Sequence, residues 1–130
     1  MSFETDIIAK YAPAIGGRLY WDSTPRSWDV DDMQAPFCIM QTVGGESPRY
    51  IDNKVHEFLK ERVQFFVWGA SRVAVSNAMR TLANAIAVSS TAEWVTIVSG
   101  GPSGDWNEVL KLRGQRQDFE FWYKNPLYVP

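Results

Sequence analysis

Residues 61–90 read ERVQFFVWGASRVAVSNAMRTLANAIAVSS. A strand-like run stops at one glycine and gives way to a helix-period pattern, and that junction limits the folds open to the chain. Val63, Phe65 and Val67 fall on one side of an extended backbone, and Gln64, Phe66 and Trp68 on the other. Both sides are largely apolar, which places the strand inside a sheet rather than at its edge. Gly69 ends the strand, and Ser71 can cap the helix by accepting a hydrogen bond from a free backbone N–H. Beyond it Val75, Ala78, Met79, Leu82, Ala85 and Ile86 recur at helical spacing, with Arg72, Ser76, Asn77, Arg80 and Asn84 opposite. Such a stripe has to be covered, and the nearest apolar surface is the preceding strand.

The rest of the chain is read around this strand–helix pair. Its 130 residues make a single domain, 1–130. A chain of that size buries roughly two-thirds of its unfolded surface, enough for one core without staples. Apolar residues at 45% and charged residues at 22% exclude a disordered chain. Six Trp, five Tyr and seven Phe exceed what a core of this size needs, or fill it well; the surplus would serve an interface. Cys38 is the sole cysteine and has no internal disulfide partner, which with a start lacking an export signal points to a reducing cytoplasm. No apolar run reaches the roughly 18–20 residues of a membrane span. A net charge of −2 gives the chain as a whole no attraction for nucleic acid.

In chain order, residues 2–12 read as a short amphipathic helix, with Phe3, Ile7, Ile8, Tyr11 and Ile15 on one face and Ser2 as its cap. Pro13 and Gly16–Gly17 stop it. Residues 18–21 form a brief strand, 22–35 an acidic loop, and 36–43 a second apolar strand broken by Gly44 and Gly45. Residues 49–55 make the tip or return arm of a long polar hairpin leading into the 61–69 strand. After the main helix, residues 93–99 form a strand, 100–104 a flexible turn, and 106–113 and 115–123 a last hairpin about Gly114. In the final strand Phe119, Phe121 and Tyr123 alternate with Asp118 and Glu120. Strands cluster instead of alternating with helices. The expected fold class is therefore α+β, a mainly antiparallel sheet of about four to five strands with helices at about 2–12 and 71–88 packed on one face.

Reactive chemistry is hard to assemble from these residues. One Cys and one His are too few for the usual zinc ligand sets. The acids of 29–32 suggest a calcium loop, but Met33, Gln34 and Met40 stand where a ligand, the glycine and the closing glutamate belong. A hydrolase triad would have to use His56, and no G-x-S-x-G is present. Gly100–Gly104 lacks the lysine and hydroxyl residue of a phosphate loop. Arg62, Arg72 and Arg80 amount to a solvated face, not a nucleic-acid stripe. The expectation is a protein that is not an enzyme and carries no metal or cofactor.

The order of the parts resembles a known family. PFCIMQ (36–41) is a strand opening on proline; a polar hairpin follows; ERVQFFVWG (61–69) runs into the alanine-rich helix; QDFEFWY (117–123) closes the domain. From about residue 18 to 123 this is similar to the tail terminator, or tail completion, proteins of long-tailed bacteriophages. The acidic loop and Trp94 fall outside the family pattern. The resemblance implies a structural virion protein, made in the host cytoplasm and carried on the head-proximal end of the tail. Such subunits close a ring, commonly a hexamer, that stops polymerisation of the major tail tube protein and offers a surface to the head–tail connector protein. DNA passes through the hole without specific binding.

A ring needs head-to-tail contacts that close. Aromatic residues, strand edges and the polar hairpin supply the candidates: Glu46, Arg49, Tyr50, Asp52, Lys54 and His56 in the arm, and Trp106 near the chain end. Two other readings compete. One is a different head–tail adaptor or minor tail subunit of similar build, and the other a small ligand-binding or enzymatic domain using the acidic loop.

Overall fold

The computed structural model describes residues 3–29, 31–46, 58–91, 94–107 and 111–124. At its centre is β3 (Phe58–Gly69), flanked on one side by β2 (Phe37–Glu46) and on the other by β5 (Leu112–Lys124). Outside these lie β1 (Leu19–Trp21), next to β2, and β4 (Trp94–Asn107), next to β5. The order across the sheet is β1-β2-β3-β5-β4. Val63, Phe65 and Val67 are 0% exposed, as the two-sided apolar pattern of this strand requires. Phe119 and Phe121 of β5 lie beside them, and the Phe65 and Phe119 rings meet edge to face at 5.2 Å. Burying each of these side chains contributes about 1.5–3 kcal/mol.

Helix α2 (Arg72–Ala87) folds back over the strand that precedes it. Ser71 caps it, its Oγ accepting from the Ala74 N–H at 3.3 Å. Val75, Met79, Leu82 and Ile86 are buried against the sheet. The return is tight at Gly69, where a β-carbon would stand 3.0 Å from Val75 Cγ2. Helix α1 (Phe3–Tyr11), followed by a 3-10 turn over Ala12–Ile15, joins the same core through Phe3, Ile7, Tyr11 and Ile15. Ile8, expected on that buried face, is 36% exposed, because the stripe is only as wide as the contact with the sheet. The expected cap Ser2 lies outside the described residues. A chain of polar bonds ties both helices to β4. Trp94 Nε1–H donates to the Tyr11 hydroxyl at 3.1 Å, Tyr11 bonds Ser89 Oγ, and Ser89 donates to the Ile86 carbonyl at 2.7 Å.

Three details differ from the sequence expectation. The sheet is mainly antiparallel, as expected, but it includes one parallel pair, Leu19–Trp21 with Cys38–Met40. A parallel pair needs a crossover, and the 22–36 segment supplies it, with Trp28 edge-on to Tyr20 and to Phe37 at 5.2 and 5.4 Å. Second, Gly44 and Gly45 do not break β2. The pairing with β3 continues to Glu46–Lys60 across an irregularity between Thr42 and Gly44. Third, Gly100–Gly104 is not a turn, and Gly114 is not a hairpin tip. β4 runs through the glycines with a register shift between Ser99 and Ser103, held on both sides of it by the thirteen-residue β5. The reversal falls between Asn107 and Leu112, with Lys111 at φ 54°.

Candidate functional site

Of the residues singled out in the sequence, Arg49, Tyr50, Asp52, Lys54 and His56 lie outside the described residues. Glu46 is the last residue of β2, paired with Lys60. Trp106 is on β4, 41% exposed, with the Arg113 guanidinium 4.4 Å from its ring centroid. Strand pairing sets that contact, since Trp106 lies opposite Arg113 and Gly104 opposite Gln115.

Around this pair the structure opens a groove of about 430 Å³ between the start of α2 and the β4–β5 ribbon. Arg72, Val75, Trp106, Arg113 and Gln115 line its walls, and Gly104 and the Gly114 backbone form its floor. Arg72 is the first residue of α2, so its charge adds to the positive end of the helix. Gln115 is fixed by donating to Ser76 Oγ at 2.8 Å. Both arginines are exposed. The groove thus offers two guanidinium groups, an indole face and a fixed amide, a set suited to carboxylates. Sequence reasoning found Trp106 and missed Arg113 as its neighbour. A hairpin about Gly114 puts both residues on one strand, whereas the structure sets them opposite each other on β4 and β5.

The sheet face away from the helices is the second surface. Phe66 and Trp68 stack there with centroids 4.5 Å apart and planes 2° from parallel. A β-carbon at Gly114 would stand 2.7 Å from two Trp68 ring carbons, so the indole lies flat over that glycine. Toward the other end of the strands the face turns polar. Arg62 pairs with Asp118 at 2.8 Å, Lys60 with Glu120 at 3.6 Å, and Lys60 also sits 5.4 Å from the Trp122 ring. Val95 and Ile97 on β4 stay 37% and 45% exposed.

Titratable groups with shifted behaviour meet at Glu61, whose carboxylate accepts from the Tyr123 hydroxyl at 3.3 Å. Burial raises the Glu61 pKa, the Tyr123 bond lowers it, and the charge of Glu4 raises it. Tyr123 is pushed up to about 12, by burial first and then by Glu61. Burial also pushes the Cys38 thiol up, which leaves it protonated and unreactive. In the acidic loop, Asp29 and Asp32 turn their carboxylates on each other's backbone. The Asp29 N–H donates to Asp32 Oδ2 at 2.9 Å, and the Asp32 N–H to Asp29 Oδ1 at 3.2 Å. Among the described residues no three His, Cys, Asp or Glu side chains converge on one point.

No family model matches the chain, and neither does any curated protein sequence. Among the described residues no helix is long and apolar enough to cross a membrane.

Proposed function

We propose that this chain is a structural subunit of the tail terminator kind, which assembles with copies of itself into a ring at the head-proximal end of a phage tail tube. The observation that carries the reading is where the resembling stretches fall. Residues 36–41, 61–69 and 117–123 belong to β2, β3 and β5, which are neighbours in the sheet. The likeness therefore covers one continuous packed unit and not scattered segments. Two further features support an assembly role: aromatic side chains kept on the sheet face without helices, and a long outer strand, β4, with exposed Val95, Ile97 and Trp106.

In this role the ring ends growth of the tube protein, presents a surface to the head–tail connector and lets DNA pass. Its work is fitting against neighbours, with no bond made or broken. Electron microscopy of particles produced without the protein tests the reading. Overlong or headless tails are the expected result, and tails of normal length joined to heads would overturn it.

A further inference from the structure

The Arg72–Trp106–Arg113 groove lies at the β4 edge of the sheet, and the acidic loop at the β1 edge. The loop carries Asp22, Asp29, Asp31 and Asp32 against Arg26 alone. Asp22, Asp29 and Asp32 are exposed. The 28–37 part of the loop shares a level with the groove, whereas Asp22, whose N–H donates to the Met40 carbonyl, lies farther along the strands. Phe37, which Trp28 of the loop contacts, pairs with Trp68; Trp68 pairs with Gly114, in the groove floor; Trp106 pairs with the adjoining Arg113. Opposite charge, opposite edges and equal height are what a head-to-tail contact needs to close a ring. A contact with an axial offset would instead wind into a helix.

We infer that the groove of one copy receives the acidic loop of the next, the Arg72 and Arg113 guanidiniums meeting its carboxylates beside the Trp106 indole. This rests on the ring reading above and names the two surfaces that close the ring. Asp29 and Asp32 hold the turn of the loop through their mutual backbone bonds, so the loop is shaped before it docks. Single exposed ion pairs add little to stability. Several meeting in one groove set register and partner choice.

Sedimentation velocity of the whole chain across a concentration series tests the pairing. The groove variant is Arg72→Glu with Arg113→Glu; a glutamate at the first turn of α2 suits the helix, so folding should survive. The loop variant is Asp31→Lys, which spares Asp29 and Asp32. Each variant alone is expected to self-associate about tenfold or more weakly than the parent chain. An equimolar mixture of the two should restore rings of alternating copies, because the intact groove meets the intact loop and the reversed groove meets the reversed loop. Arg72→Glu, Arg113→Glu and Asp31→Lys in one chain should likewise restore rings. If charge reversal unfolds the chain, Arg72→Gln with Arg113→Gln carries the single-edge comparison, and its mixture with the loop variant should stop at heterodimers. Single-edge variants that assemble like the parent, or a mixture that assembles no better than either variant alone, overturn the pairing and leave the ring reading standing. A parent chain that stays monomeric at every concentration overturns the ring reading, and the pairing with it.

Discussion

At Gly114 the chain has no room for a side chain. A β-carbon would press to 2.7 Å on the Trp68 ring and 3.0 Å on Phe66. Gly114→Ala must push the indole off its stack, and is expected to cost about 1–3 kcal/mol in denaturant unfolding, with a shift in tryptophan emission. An unchanged midpoint would mean that Trp68 swings aside freely. Glu61 makes the opposite case, a residue that costs stability as the wild-type chain stands. Its pKa is raised in the folded state, chiefly by burial. A raised carboxyl contributes stability that is full below its ordinary value of 4.5 and is lost as pH rises through the folded value. Glu61→Gln keeps an acceptor for Tyr123 and removes the charge. The variant is expected to be more stable than the parent at neutral pH, with the gap narrowing as pH falls toward 4.5. Thermal melts of both chains over that range check it, and a gap that widens on acidification would show that burial is not the governing cause.

Among the elements, β3 bears the most, since β2 and β5 both pair along it. Phe65→Ala empties a fully buried site facing Phe119 and Phe121, and should cost about 3–5 kcal/mol in chemical unfolding. A loss below about 1 kcal/mol would mean that the neighbours collapse into the space. This strand and α2 were legible because each shows one clean period, of two residues and then of three to four, and because Ser71 marks the change. The Phe119, Phe121 and Tyr123 face of β5 was legible for the same reason. Glycines misled wherever they stood in long strands. Gly44 and Gly114 suggest turns in isolation, yet one sits at a register irregularity and the other under an indole. Only pairing partners far away in sequence decide between those uses. The Arg72–Trp106–Arg113 groove was hidden for a related reason, since it depends on the β4–β5 register and on α2 folding back at Gly69.

For the whole molecule, the two ends of the sheet have different tasks open to them. The groove occupies the end where β3 stops and β5 begins. β2 ends at Glu46 and β3 begins at Phe58, at the other end of the sheet from the groove. A ring subunit must bind laterally to its copies and axially to the tube or connector, and separate ends let it do both at once. The arm itself mixes Arg49, Asp52, Lys54, His56 and Glu57 between two strong strands, a composition with nothing to add to a core. Arg49→Glu is accordingly expected to leave the melting temperature within the small change typical of surface substitutions, about ±0.5 kcal/mol in stability. Lateral self-association should persist, while fewer tails reach normal length and join heads. Particle counts by electron microscopy, set beside sedimentation of the purified variant, separate the two effects. Normal tails on normal heads would remove the arm from assembly, and a variant that melts early would return Arg49 to the folded framework.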